Sequence, residues 1–177
     1  EPILRGMPAI NCPCGRERRY AMFSFRLCRE SDKDCWITLN RMFMEEEIQD
    51  HDLWNDTNKV SDEQFSNTFF EALQAKEFIS LIIFEENHTP VGFANLMTIY
   101  SVWTHGKALI LDDLYLLPDA RGKGYGKRAM ELIEQFASMR GCKRLQFQSE
   151  ETNPNAMNFY IALGYCPADM KFYVKYL

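Results

Sequence analysis

The sequence predicts an α/β (α+β) fold built around one central, mostly antiparallel sheet. Three β-type segments follow one another between positions 78 and 117, with turn residues between them. A glycine-rich loop then leads into a helical segment and a further strand segment, an order that favours a right-handed crossover between parallel neighbours. With 177 residues, 46% of them hydrophobic, the chain is long enough to close one core.

The first 21 residues stand apart from the rest in composition. They carry Pro2, Pro8 and Pro13 among several arginines and show neither a helical nor a strand period. Because the chain also begins with Glu1 rather than Met, we interpret residues 1–21 as a flexible N-terminal extension or a leader. Residues 22–177 are then expected to form a single domain.

The first elements of that domain are a strand and two helices. Residues 22–28 alternate like a strand, and Ser31 can cap a helix that places Trp36 on its apolar face. A second helix is predicted from Ser61, with Phe65 and later apolar residues on one face.

The middle of the chain changes from the helical to the strand period. Segments 78–84, 91–102 and 108–117 are predicted strands, separated by turns at 87–90 and 105–106. Such short connections favour an antiparallel meander.

The last third alternates helices and strands. A helix that turns Ala129 to Ala137 inward is predicted to end at Gly141. The elements expected after it are a strand at Leu145–Ser149, a short helix at Asn153–Leu163 and a final strand at Lys171–Tyr176.

Charge and hydropathy exclude several classes of partner. The formal net charge of -5 does not favour nucleic acid and fits a small cationic molecule better. There is no apolar run of about 18 residues and no recognisable signal sequence, so we expect a cytoplasmic protein without a membrane partner. Cys12 and Cys14 lack a second pair of ligands at zinc-binding spacing, so no metal site is predicted.

The segment from Leu111 to Lys127 carries most of the functional information. Gly122, Gly124 and Gly126 lie where a strand passes into a helix, so unpaired amides and the positive end of the helix dipole can bind an anion. Four cationic residues add positive charge at the same place: Arg121, Lys123, Lys127 and Arg128. A pyrophosphate is the ligand that these features predict.

Several loops bind pyrophosphate, and the residues alone leave more than one open. A Walker A loop is excluded, because only three residues separate Gly122 from Gly126 and Arg128 follows the lysine. The dinucleotide pattern G-x-G-x-x-A is met by Gly124, Gly126 and Ala129. The long spacer before Gly124 and the short chain after it count against that alternative, and a solvated turn without a ligand is the remaining one.

Two motifs in this order resemble those of the GNAT superfamily of N-acetyltransferases. Arg121-Gly-Lys-Gly-Tyr-Gly126 resembles its R-x-x-G-x-G acetyl-CoA loop, and Asn153 to Tyr165 resembles its N-x-x-A-x-x-[LF]-Y-x-x-x-G-[FY] motif. The resemblance extends over residues 22–177. It implies the GNAT fold, in which a mixed, mostly antiparallel sheet of six to seven strands has helices on both faces.

The resemblance also implies a binding mode for acetyl-CoA. The backbone of β-segment residues would bind the pantetheine arm, amides of the loop would hold the pyrophosphate, and the following helix would add a contact. The residues implied are Leu114, Tyr115, Leu116, Arg121, Gly122, Lys123, Gly124, Tyr125, Gly126, Lys127, Asn153 and Tyr160.

The implied reaction is direct attack of a neutral amine on the thioester, without a protein nucleophile. Tyr160 matches the tyrosine that lies beside the sulfur in this family and would protonate the departing thiolate. Asp112 and Asp113 are the candidates to accept the amine proton, because paired carboxylates within an apolar strand are costly unless they face a cavity or a partner.

The acceptor is predicted to be a small cationic amine. The stretch from Gly106 to Leu116 and the sequence Asn158-Phe-Tyr160 resemble the diamine and polyamine acetyltransferase branch. An acidic run without Lys or Arg points the same way: Glu45, Glu46, Glu47, Asp50, Asp52 and Asp56. A peptide or protein amine and a non-catalytic CoA-binding sensor are the alternatives, and the family resemblance makes a homodimer possible.

Overall fold

The computed structural model describes residues 22–47, 60–149 and 153–175. The predicted extension, residues 1–21, lies outside them. The elements are β1 Phe23–Leu27, α1 Lys33–Glu47, α2 Asp62–Gln74, β2 Ile79–Glu86, β3 Thr89–Ser101, β4 Gly106–Leu116, α3 Tyr125–Met139, β5 Cys142–Phe147 and α4 Pro154–Ala162, with 3-10 turns at Glu30–Asp32 and Pro118–Ala120.

The sheet follows the chain order β1-β2-β3-β4-β5. β1 to β4 pair as antiparallel neighbours, and β5 joins β4 in parallel after the α3 crossover. The meander and the crossover predicted from the sequence are therefore confirmed.

Helices cover both faces of the sheet, and the alternation of β2 shows why. Leu81 and Ile83 pack in the cluster that contains Trp36 of α1 and Phe69 of α2. The intervening Ile82 and Phe84 pack on the other face with α3. Since successive side chains of a strand point to opposite faces, a nearly continuous apolar strand is what two covered faces require.

A partly buried ion-pair network fixes the connection from β1 to α1. The Arg26 guanidinium donates two hydrogen bonds to Asp32, at 2.6 and 2.9 Å, and its Nε donates to Glu85 at 2.7 Å. Desolvation alone would raise the pKa of Asp32, but hydrogen bonds from Arg26 and from the Arg29 amide lower it below its usual range. Breaking this network would leave an uncompensated buried carboxylate.

The end of the chain differs from the prediction. Residues 171–175 form no strand, so the described part of the chain has a five-stranded sheet instead of the six to seven strands expected. The strand predicted at Lys171–Tyr176 was therefore wrong over these residues, where Phe172 and Tyr173 are exposed. Among the residues described, no helix has the length and apolar character needed to cross a bilayer.

Candidate active site

The site begins where β4 and β5 separate. β4 pairs with β3 along Gly106–Leu116, but with β5 only along Lys107–Leu111. Residue 112 has no partner on β3, since Asn95 pairs with Asp113 and Leu96 with Leu111. This β-bulge bends β4 and leaves its last five residues without a β5 neighbour. Main-chain groups of Leu114 and Leu116 therefore lie along an open edge of the sheet, whereas those of the intervening Tyr115 face β3.

The glycine loop connects this edge to the start of α3. Gly122 and Gly124 have φ values of 73° and 82°, in the left-handed region that favours glycine. No atom lies within 4 Å of a Cβ built on either residue, so open space surrounds both. Gly124 is the N-cap of α3, and the first amides of a helix have no partner within it. The geometry of the loop therefore allows its backbone to approach a phosphate closely.

Gly126 joins the loop to α4. A Cβ on Gly126 would lie 3.3 Å from Cζ of Phe159, so the helix that carries the second motif packs directly against the first turn of α3. The two sequence motifs are thus neighbours in space. The structure thus brings together the loop and the Tyr160 helix.

Arg121 points back toward α1. Its Nη2 donates to Oε2 of Glu46 at 2.6 Å, its Nε donates to the Leu116 carbonyl at 2.9 Å, and its guanidinium lies 5.3 Å from the centre of the Tyr115 ring. Glu46 also accepts from the Tyr115 hydroxyl at 2.8 Å. Desolvation alone would raise the pKa of Glu46, but these hydrogen bonds lower it. Burial and the bond to Glu46 raise the pKa of Tyr115 to about 12.

Lys123 and Tyr125 contact a second carboxylate, Glu86, at the end of β2. Lys123 Nζ lies 3.3 Å from Oε2 of Glu86, and the Tyr125 hydroxyl donates to Oε1. The hydrogen bond from Tyr125 lowers the pKa of Glu86 and raises that of Tyr125. Tyr125 also stacks on Phe23 at 4.4 Å between ring centres.

The two adjacent aspartates have different environments. Asp113 accepts from Nδ2 of Asn95 at 2.7 Å, and Asn95 is held by Trp36 Nε1 at 2.9 Å and contacts Asn40 at 3.1 Å. Burial raises the pKa of Asp113 to about 6. Asp112 is exposed at the bulge, although desolvation by nearby protein atoms raises its pKa too. Asp112 is therefore accessible to a substrate, whereas Asp113 lies under α1.

Tyr160 and Asn153 lie on α4. The Tyr160 ring packs on Phe147, the last residue of β5, at 4.3 Å between ring centres, so it stands beside the split between β4 and β5. Asn153 caps α4, because its Oδ1 accepts from the Ala156 amide at 3.1 Å. The cap is a structural role that the sequence motif did not reveal.

Several residues of this site were missed by the sequence reasoning. Asn95 and Asn40 could have been found as amides inside apolar β- and α-segments. The sequence predicted Glu46 as part of an acidic run facing the acceptor, but in the structure its carboxylate binds Arg121 of the loop. Asp50, Asp52 and Asp56 lie outside the described residues. Nowhere in the described ranges do three His, Cys, Asp or Glu side chains meet in a way that could hold a metal ion.

Comparison with known proteins adds the family. The model of the acetyltransferase (GNAT) family matches residues 36–165. This range contains the bulge, the glycine loop and the Tyr160 helix.

Curated relatives carry acetyltransferase names. An uncharacterized N-acetyltransferase, YhfO of Bacillus subtilis, is 33% identical over 107 residues, which cover 60% of this chain and 72% of the relative. The thialysine N-epsilon-acetyltransferase of Mus musculus is 29% identical over 149 residues, which cover 81% of this chain and 85% of the relative.

Solved structures share the fold at low sequence identity. A possible acetyltransferase from Clostridium difficile 630 superposes with a TM-score of 0.73 at 16% identity, covering 88% of this chain and 97% of that one. An aminoglycoside N-acetyltransferase in complex with CoA gives a TM-score of 0.69 at 16% identity, covering 94% and 99%.

Proposed function

This chain belongs to the acetyltransferase (GNAT) family, and from that premise we propose that it transfers the acetyl group of acetyl-CoA to a primary amine of a small cationic molecule. The observation that carries the proposal is the junction of two features. The open edge of β4, residues 112–116, leads directly into a glycine loop at the N-terminus of α3. An extended amide-bearing arm fits the first feature, and a diphosphate fits the second.

Each part of the ligand has residues suited to it. The backbone of Leu114 and Leu116, on either side of Tyr115, would bind the pantetheine arm along the free edge of β4. Amides from Gly122 to Lys127 would hold the diphosphate, where the left-handed glycines leave room for a close approach.

Acetyl-CoA supplies an activated thioester, so the protein's own contribution is positioning and proton transfer. We propose that Tyr160 provides the proton for the departing sulfur, because its ring lies against Phe147 at the point where β4 and β5 part. The Leu116 amide is the proposed donor to the oxygen that gains charge during attack.

Asp112 is the proposed acceptor of the amine proton. An amine is mainly protonated at neutral pH and must lose a proton before it attacks. Asp112 is exposed at the bulge, whereas the carboxylate of Asp113 is already engaged by Asn95. We assign Asp113 to positioning, in that it holds the bulge against α1.

The small cationic acceptor is supported by the relatives and by the exposed carboxylate. The murine relative is named for the N-epsilon-acetylation of thialysine and one structural neighbour for the N-acetylation of aminoglycosides, and both names refer to small molecules that carry amines. An exposed Asp112 at the reaction centre favours a cationic substrate over a neutral one.

Two measurements test the proposal. Titration calorimetry with acetyl-CoA, CoA and NAD should show binding of the two CoA ligands and none of NAD. Thiol release should then be followed with spermidine, lysine, an aminoglycoside and a peptide with a free N-terminal amine. Preference for the peptide would favour a peptide or protein amine acetyltransferase, and CoA binding without thiol release from any amine would indicate a sensor.

A further inference from the structure

The glycine loop is held at two points by carboxylates that come from elsewhere in the fold. Glu46, from the last turn of α1, accepts from the Tyr115 hydroxyl and from Arg121. Glu86, from the end of β2, accepts from the Tyr125 hydroxyl and from Lys123. In both places one carboxylate joins one tyrosine and one cation of the loop.

These contacts direct the two cations toward the body of the protein. Arg121 has three partners that fix its guanidinium: Glu46, the Leu116 carbonyl and the Tyr115 ring. The ammonium of Lys123 lies 5.8 Å from the centre of the Tyr125 ring in addition to its contact with Glu86. Both side chains therefore constrain the path of the backbone between residues 121 and 125.

Lys127 differs from them. It is exposed in the first turn of α3, and it makes no ion pair with any carboxylate in the described ranges. A phosphate at the helix N-terminus would meet this cation without competition from a protein carboxylate.

We propose that Glu46 and Glu86 are positioning residues that hold the glycine loop in its phosphate-accepting shape. The clamp, as we call it, consists of these two carboxylates and the side chains of Arg121 and Lys123 that they bind. The inference rests on the proposed function, since it assumes that the loop binds the diphosphate of acetyl-CoA. Loop amides and Lys127 then make the direct contacts with the phosphates.

The clamp and a direct phosphate contact predict opposite signs for one substitution. If Arg121 bound phosphate itself, Glu46→Gln would release the guanidinium from a competing anion and strengthen acetyl-CoA binding. If the clamp is right, Glu46→Gln weakens the contact with Arg121 that holds the loop in shape, and acetyl-CoA binds more weakly. We expect the dissociation constant of acetyl-CoA to rise about three- to tenfold for Glu46→Gln and for Glu86→Gln, the range of a partly exposed ion pair with an added hydrogen bond.

Titration calorimetry on the full chain measures these constants, with Asp62→Asn as the matched control. Asp62 also pairs with an arginine of α1, Arg41, at 2.5 Å, but it belongs to α2 and makes no hydrogen bond or ion pair with the loop in the described ranges, so its substitution should leave the affinity unchanged. Arg121→Gln and the double variant with Glu46→Gln complete a mutant cycle. The double variant should bind acetyl-CoA about as weakly as either single variant, because each single substitution already removes the same ion pair.

A kinetic readout separates positioning from general damage. In all clamp variants kcat at saturating acetyl-CoA should stay within about twofold of the native value while KM for acetyl-CoA rises. Salt should weaken acetyl-CoA binding less in Lys127→Gln than in the native protein, whereas Arg121→Gln should keep the native salt dependence.

Tighter binding by Glu46→Gln, or additive losses in the cycle, would overturn the clamp. The native protein serves as the reference for the function itself. If it fails to bind acetyl-CoA, the proposed function fails; if it binds and the variants show the wrong sign, only the clamp fails.

Discussion

Asp112 and Asp113 show how one backbone feature separates two identical side chains. The bulge leaves Asp112 unpaired with β3 and exposed, while Asp113 stays in register with Asn95 and lies beneath α1. The network of Trp36, Asn95 and Asn40 leaves the Asp113 carboxylate desolvated but hydrogen-bonded. A desolvated carboxylate whose hydrogen-bond partner is a neutral amide favours its protonated form at higher pH than usual.

This environment predicts a pH-dependent stability. An unfolded aspartate titrates near pH 4, and burial raises the pKa of Asp113 to about 6. The folded chain therefore binds more protons between these values, so the contribution of Asp113 to stability falls as pH rises from about 4 to about 6 and is constant above.

Asp113→Asn should remove this dependence while keeping an acceptor for Asn95. From pH 4 to pH 7 the unfolding free energy of the native protein should fall by about 2 kcal/mol relative to that of the variant. Urea unfolding at both pH values measures the difference. Parallel pH profiles for native protein and Asp113→Asn would contradict the assignment.

Tyr160 gives a second prediction at this scale. Tyr160→Phe keeps the ring that packs on Phe147 but removes the hydroxyl, so we expect kcat to fall at least about tenfold while the dissociation constant of acetyl-CoA changes less than about twofold. Steady-state kinetics and calorimetry measure the two quantities.

Tyr165→Phe is the control for Tyr160→Phe. Its ring packs on the same phenylalanine, but its hydroxyl donates to Glu134 at 2.6 Å. It should leave kcat unchanged; an equal loss in both variants, or an unchanged rate in Tyr160→Phe, would remove the acid role.

The residues of the site were predictable to different degrees. Gly122, Gly124 and Tyr160 follow from local motifs, because positive φ and helix position depend on a few neighbouring residues. The partners Glu46 and Glu86 were not predictable, since they lie 75 and 37 residues from the cations that they bind. Only the three-dimensional packing of α1 and β2 around the loop brings them there.

At the scale of elements, α4 combines a capping role with a proposed binding role in one residue. Asn153→Ala removes the side-chain cap and should lower the unfolding free energy by about 1 kcal/mol, whereas Asn153→Ser keeps a capping oxygen and should cost only a few tenths. If the carboxamide also contacts the cofactor, both variants should bind acetyl-CoA with similarly reduced affinity.

Urea unfolding and calorimetry on the two Asn153 variants separate these roles. Reduced affinity in Asn153→Ala alone would show that the cap is sufficient and that the side chain makes no contact with acetyl-CoA.

Elements with strong periodicity were predicted, and the end of the chain was not. β2, β3 and β4 carry apolar residues on one or both faces and are joined by turns with positive φ at Asn87, His88 and His105, so their pairing follows from sequence. Polar and apolar residues also alternate at 171–175, but alternation alone does not determine whether a segment lies beside a sheet edge, and no strand forms there. The bulge at Asp112 was equally invisible, because it depends on the register with β3.

At the scale of the whole molecule, two apolar clusters on opposite faces of one sheet hold the domain together. The α3 cluster contains Phe84 and Ile133, and the α1/α2 cluster contains Phe69 and Phe93, all fully buried. A ligand that bridges β4 and α3 therefore binds only the folded state, and its affinity adds to the stability of the whole domain.

Acetyl-CoA should thus raise the melting temperature. At a free concentration 100 times its dissociation constant it adds about 2.7 kcal/mol, which corresponds to about 5 to 10 °C for a domain of this size. Thermal unfolding with acetyl-CoA and with NAD at equal concentration checks this expectation. An equal shift by NAD would favour the dinucleotide-binding alternative, and no shift by acetyl-CoA would contradict the proposed function.

The early end of the β4–β5 ladder at Leu111 and Phe147 also bears on which thioesters suit this protein. A linear molecule lying in that gap meets peptide groups spaced as in a sheet, so it must offer amides at the same repeat to replace the water it displaces. Acetylated thiols with a plain alkyl chain would leave those groups dehydrated and unmatched. If acetyl-CoA binds as proposed, the gap should therefore select donors by the spacing of polar groups along the molecule, independently of its terminal phosphates.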